Sequence, residues 1–276
     1  MFNESNTIEA YLRDLLAGPI KATQANLAQQ TLASYGRSHK GSGWRYVANA
    51  DIPRQIQDVL VEPWVREALI RLNPQITAQP DRADEVLYKL RAIVLSVRSD
   101  GLIRANEEFT AWLRGDRSMP FGPNNQHVTV RLLDFEDLEQ NQYLAVTQLT
   151  FRAGPAERRA DLVLFVNGFP LVLVEAKTPV RQSVSWFDGA KQVHDDYERF
   201  VPELFACNVF SVATEGKELH YGAVHMPLDQ WGPWRPDEAI SSGLVDVSKA
   251  AQSLLRPNII LDILANFTLF ATDKKK

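Results

Sequence analysis

Near the amino terminus, Ile8, Tyr11, Leu12, Leu15 and Leu16 recur at helical spacing after Thr7, with Asn6 placed to cap the run and Gly18-Pro19 to end it. That pattern predicts an amphipathic helix with Glu9 and Asp14 off its main apolar stripe. Residues 54–72, closed by Asn73-Pro74, repeat the helical period, as do 84–97 and 102–113, which Ser99-Asp100-Gly101 separates. Residues 21–43, rich in Ala, Gln, Ser and Gly, show no strong pattern. The texture changes at Phe121-Gly122-Pro123-Asn124-Asn125. Residues 127–133 alternate, 143–151 are rich in β-formers, and two almost purely aliphatic runs, 161–166 and 171–176, are joined through Asn167-Gly168, a strong hairpin signal. Continuous apolarity in both runs predicts a sheet covered on its two faces. Beyond them, 185–200 reads as a helix, 208–213 and 218–224 as strands, and 257–270 as a helix with Ile260, Leu261, Leu264 and Phe267 on one stripe. The expected fold class is α/β: a mixed central β-sheet flanked by helices. Residues 1–120 form a helical amino-terminal layer packing on a core over 121–276, which includes the C-terminal helix, all within one structural domain.

Composition narrows the function classes. With 45% hydrophobic residues over 276 positions, a sizeable core is expected and disorder is excluded. The longest apolar stretches are far shorter than the ~20 residues a bilayer span needs, and the start Met1-Phe2-Asn3-Glu4 lacks the basic and apolar regions of a secretory signal. A single cysteine, Cys207, rules out an intrachain disulfide and a thiolate metal cluster, and a cytoplasmic location is expected. The formal charge of −4 is not that of an independent DNA-binding module, so any nucleic-acid contact needs a local patch or a partner. Lys274-Lys275-Lys276 is a weak candidate patch. The histidines show no metal-ligand spacing, and His194 reads as a helix-surface residue. Trp231 and Trp234, near Arg235, read as packing residues.

The chemistry concentrates where charge ends the most hydrophobic strands. Asp161 heads one aliphatic run, and Glu175 and Lys177 close the other, where an unpaired carboxylate loses solvation on the order of several kcal/mol. Alternation puts Glu175 and Lys177 on one face. A two-residue Asn167-Gly168 loop pairs Asp161 with Val174, on the opposite face from Glu175. A three-residue loop, or one bulge in either strand, brings Asp161 opposite Glu175. In that case two carboxylates and an ammonium converge, a set suited to a divalent cation such as Mg²⁺ and to phosphodiester hydrolysis. Glu-x-Lys alone occurs about once by chance in such a chain. Glu215-Gly216-Lys217 is such a decoy, expected in a turn and facing water, and a strand-end ion pair is the competing reading of the hairpin.

Asp161 with Glu175-Ala176-Lys177 resembles the PD-(D/E)XK nuclease motif. The run ADLVLFVNGFPLVLVEAKTP is similar to the amino-terminal nuclease region of the restriction (R) subunit of type I restriction enzymes, and VEPWVREALIRLNP, LLDFED with Asn141, VPELFACNVFSVATEGKELHYGA and the closing helix agree. The resemblance implies a restriction-endonuclease-like core and a sequence-nonspecific DNA endonuclease that uses Mg²⁺, with Mn²⁺ as a plausible substitute. Asp161, Glu175 and Glu9 would be metal ligands and Lys177 the catalytic lysine; Glu62 is the fallback for Glu9. Ala160 stands where the motif has proline, which is not a ligand. The family's Gln-x-x-x-Tyr is here Gln192 followed by Tyr197, and a five-residue step turns about 140° around an α-helix, so the two do not share a face unless the helix is irregular. Tyr197 therefore reads as core, and Gln192 as a site-flanking or DNA-contacting group together with Arg158, Arg159 and Arg181. Implied partners are double-stranded DNA, the ATP-dependent translocase region of the same subunit, and the modification and specificity subunits. No phosphate-binding Gly-x-x-x-x-Gly-Lys-Ser/Thr loop occurs, so ATP is expected only in a motor region outside this fragment. A non-catalytic docking module of the same complex and a free-standing nuclease or resolvase are the alternatives.

Overall fold

The computed structural model describes residues 8–19, 41–178, 183–236 and 243–271. The expectations placed on Asn6, Thr7, Arg181, Lys274–Lys276 and most of 21–43 lie outside them. In chain order the elements are α1 (Ile8–Ala17), β1 (Arg45–Ala48), α2 (Glu62–Leu72), α3 (Pro74–Thr77), α4 (Arg82–Asp100), α5 (Leu102–Leu113), β2 (Ser118–Met119), β3 (Val128–Thr129), β4 (Tyr143–Ala153), β5 (Ala156–Val166) and β6 (Phe169–Ala176). They are followed by α6 (Trp186–Lys191), a π-helical turn (Gln192–Tyr197), α7 (Glu198–Phe200), β7 (Phe210–Thr214), β8 (Leu219–Gly222), β9 (Gly232–Pro233), α8 (Leu244–Leu254), α9 (Pro257–Asp262) and a second π-helical turn (Ile263–Phe267).

Among the described residues, seven strands form one mixed sheet in the order β1-β4-β5-β6-β7-β8-β9. β1 runs parallel to β4 and β6 parallel to β7; the other neighbours are antiparallel. All eight residues of β6 are buried, which is why its sequence has no polar alternation until Glu175. Helices flank the sheet: α1 packs on β1, β4 and β5, and α6 on β6, β7 and β8, while α2 and α4 pack together and α4 packs on α5. Phe109 of α5 meets Phe169 of β6 edge to face, and Trp64 of α2 meets Phe165 of β5 in the same way.

Several elements differ from the sequence expectation. The helix expected over 54–72 begins only at Glu62, with Pro63 in its first turn, where a missing N–H costs nothing. The preceding segment serves the sheet instead: the Ile56 carbonyl accepts from the Arg152 N–H at 3.0 Å, and the Arg54 guanidinium donates to the Thr150 carbonyl of β4. The alternation over 127–133 yields only β3, paired with β2 in a separate two-stranded ladder. β1 and α8 lie where no element was expected. In the last helix Ile260, Leu261 and Leu264 are buried, but Phe267 is 69% exposed, because the π-helical turn advances the phase and carries it off the stripe.

The Asn167-Gly168 turn anchors the central hairpin. Both residues have positive φ (51° and 88°), as a two-residue turn between twisted strands requires. The Asn167 amide is buried; it donates to the Leu132 carbonyl (3.0 Å) and to Asn141 Oδ1 (2.8 Å), and it accepts from the Gln142 N–H (2.8 Å). The Gly168 carbonyl accepts from the Val61 N–H at 3.0 Å, tying the turn to the start of α2. A Cβ on Gly168 would lie 2.8 Å from the Val61 carbonyl oxygen and 2.9 Å from Val65 Cγ2. Gly168→Ala should therefore lower stability by about 1–3 kcal/mol in thermal or denaturant unfolding, by strain and overlap together.

Candidate active site

The turn is the two-residue type, yet Asp161 and Glu175 are brought face to face. Val166 pairs with Phe169 and Phe165 with Pro170, but Leu164 pairs with Val172 and Leu162 with Val174. Leu171 is the extra residue, a bulge next to Pro170, which has no N–H to give to the ladder. Beyond the bulge the register places Asp161 opposite Glu175. Asp161 Oδ2 accepts the Ala176 N–H at 2.8 Å, closing that end of the hairpin. Lys177 leaves the strand with its N–H still bonded to the Thr214 carbonyl at 2.7 Å.

Three acids meet here. Glu9, on α1, is buried and linked to Asp161 through Gln148: the Gln148 amide donates to Glu9 Oε2 and, at 3.3 Å, to Asp161 Oδ1. Glu175 is 2% exposed. Burial first, and the neighbouring Asp161 charge second, push Glu175 up to about 8 and Glu9 up to about 7; burial also raises Asp161. Lys177 Nζ donates to Glu175 Oε1 at 2.8 Å and to Gln192 Oε1, so the ammonium offsets part of the carboxylate charge. Gly189 of α6 packs closely over the sheet here: a Cβ there would lie 3.3 Å from Ala213 Cβ on β7 and 3.4 Å from the Glu175 carbonyl oxygen.

The helix after β6 is irregular where the sequence spacing required it to be. In a π-helical turn the repeat is i to i+5, and Gln192 to Tyr197 spans one. The two side chains consequently share a face, with Gln192 Nε2 donating to Tyr197 Oη at 2.6 Å. The Tyr197 hydroxyl is within donating distance of the Arg159 carbonyl oxygen (2.8 Å) and of Glu175 Oε2 (3.3 Å), and burial raises the phenol. Tyr197 is thus both core and neighbour of the acids, which corrects its reading as core alone.

The other named residues divide. Arg159 is exposed and close enough for its charge to oppose the upward shifts of Glu9 and Asp161. Arg158 is engaged instead, bidentate on Asp196 at 2.6 and 2.7 Å with its guanidinium over the Phe200 ring. Glu62 lies apart, paired with Arg91 on the surface (2.7 Å). Glu215, expected to face water, is buried, with burial raising its carboxyl and the backbone N–H groups of Glu215 and Trp186 opposing that rise. Gln148 was not foreseen. It sits within β4 at φ 55°, a left-handed conformation rare for a residue with a Cβ, and no local sequence signal marks it.

These shifts have a sign that can be measured. Glu175 moves from an ordinary 4.5 to about 8 in the fold, so between those values the folded state binds a proton that the unfolded state has released. Without divalent cations its contribution is therefore complete below 4.5 and is lost as pH rises through about 8. Thermal unfolding in a chelator should give a Tm that falls across this window in the wild type and falls less steeply in Glu175→Gln.

Comparison with known proteins identifies the family. The family model described as type I restriction enzyme R protein N terminus matches residues 21–230. The HindI type I restriction enzyme endonuclease subunit of Haemophilus influenzae is 30% identical over 249 residues, covering 84% of this chain and 23% of that protein. Two endonuclease subunits of putative type I restriction enzymes from Methanocaldococcus jannaschii are similar as well: MjaVIIP is 27% identical over 152 residues (52% of this chain, 14% of that protein) and MjaIXP 24% over 222 (78% and 20%). The chain spans less than a quarter of the length of these relatives. No helix among the described residues is long and apolar enough to cross a membrane. With a family match over most of its length, the chain belongs to the amino-terminal region of type I restriction enzyme R proteins.

Proposed function

We propose that this chain is the Mg²⁺-dependent endonuclease region of a type I restriction enzyme, hydrolysing phosphodiester bonds of duplex DNA without reading sequence at the cut. The observation that carries the reading is the bulge-set register that puts Asp161 beside Glu175 and Lys177. Asp161, Glu175 and Glu9 would hold the cation. The donor set fits: it is all oxygen, burial raises all three acids, and the Asp161 charge raises Glu9 and Glu175 further, a cost that a divalent charge relieves. When bound, Mg²⁺, or Mn²⁺ in its place, supplies stabilisation of the charge developing on the phosphate and a more acidic water.

The chain's own groups do the positioning. Tyr197 fixes the Gln192 amide, whose oxygen in turn holds the Lys177 ammonium against Glu175. Lys177 is thereby placed to neutralise charge and to hold or release a proton at Nζ. Arg159 and Gln192 flank the cluster as phosphate or DNA contacts; Arg158 joins them by exchanging Asp196 for a phosphate. The net acidity of the chain is consistent with DNA affinity residing elsewhere in the complex, in the translocase region of the same subunit and in the modification and specificity subunits. The setting is the cytoplasm, where a buried free thiol such as Cys207 stays reduced.

The test uses the full R subunit assembled with its modification and specificity subunits. Asp161→Ala and Lys177→Ala should each lower DNA nicking by at least roughly 100-fold while ATP hydrolysis continues, and Gln192→Ala should give a smaller loss. Double-strand cleavage at the wild-type rate in either of the first two variants overturns the assignment.

A further inference from the structure

We propose that His194, Glu198 and His225 form a second metal site, for a transition ion of the Zn²⁺ class, which fastens the loop after β8 to the helix carrying Gln192 and Tyr197. One ligand atom from each of the three lies within 4.8 Å of the others. The site shares no residue with the carboxylate cluster, and its chemistry differs. Two imidazole nitrogens with one carboxylate oxygen form a borderline donor set that suits Zn²⁺, Co²⁺ or Ni²⁺ and suits Mg²⁺ poorly. Three protein ligands leave one position of a tetrahedron for water.

Each ligand is prepared by something beyond proximity. The Glu198 side chain is 1% exposed, and a carboxylate so deeply buried needs compensation. It accepts the backbone N–H of His225 at 3.1 Å and lies 3.1 Å from Nδ1 of the same residue. That double contact requires the loop to double back, and His225 does so at φ 56°, a strained conformation for a residue with a Cβ. His194 Nδ1 lies 2.8 Å from Asp195 Oδ1. With its Nδ1–H given to that carboxylate, Nε2 keeps its lone pair, the arrangement by which an outer carboxylate orients a metal-binding imidazole. The two imidazole side chains are 28% and 46% exposed, so an ion reaches them from solvent. A tetrahedral ion at about 2.0–2.1 Å from each ligand sets ligand separations of roughly 3.4 Å, and rotation of the exposed His225 ring closes the remaining gap.

The experiment is Zn²⁺ titration of the full R subunit without a histidine tag, with Mg²⁺ in excess to occupy the oxygen site. The wild type should bind one Zn²⁺ more than His225→Ala or His194→Ala/His225→Ala, with affinity at this site falling roughly 100-fold or more in the variants. Zn²⁺ should raise the Tm of the wild type and leave that of the variants unchanged. Co²⁺ should give visible bands of a tetrahedral ion in the wild type alone. Glu198→Gln, which keeps the shape and the acceptor for the His225 N–H, guards against loss through misfolding and should also lose the extra ion. Equal Zn²⁺ binding by wild type and double variant, or no Zn²⁺ binding by the wild type, overturns the proposal and leaves an ion pair between His225 and Glu198.

Discussion

A strand sends successive side chains to opposite faces, so one residue of register decides whether two acids on neighbouring strands meet or point apart. In this molecule the residue is Leu171. The tight Asn167-Gly168 turn taken alone sets Asp161 against Val174, and the bulge at Leu171 shifts it to Glu175. Pro170 explains where the slip occurs, because a strand residue with no N–H weakens the ladder at that point. Every other feature of the site is arranged around the pair this slip creates.

Burying that pair is costly, and its surroundings answer the cost in sequence. Lys177 brings a positive charge to Glu175, the Ala176 N–H bonds Asp161, and Gln148 bridges Asp161 to Glu9. These contacts leave the acids raised all the same, with Glu175 near 8 and Glu9 near 7. A cluster so far from neutralised by its own protein is the electrostatic counterpart of a cation site. The π-helical turn completes the ring of contacts. By lengthening one turn it places Tyr197 on the face of Gln192, and the amide oxygen of Gln192 then reaches Lys177.

Three backbone irregularities thus bear on one point: the bulge in β6, which acts from a distance through register, the left-handed Gln148 within β4 and the π-helical turn after α6. Each has a cost that regular structure avoids, and each re-aims a side chain that regular structure would turn away. His225 follows the same logic at a separate place, where a left-handed residue folds a loop back onto the buried Glu198.

The sequence by itself determined the mixed α/β sheet, the hairpin, and the residue types at its charged ends, because these follow from local periodicity and from the short spacing of Asp161, Glu175 and Lys177. It also marked Glu9 and Gln192, though through resemblance and not through pattern. Only the tertiary structure decided which way those groups face. A bulge and a π-helical turn are single-residue insertions in a ladder, invisible to a period measured over several residues, and they alone bring Asp161 to Glu175 and Tyr197 to Gln192. The contacts of Gln148 with Glu9 and of His225 with Glu198 were out of reach for a second physical reason: each joins residues far apart in the chain, and such pairs are selected by packing and not by local propensity.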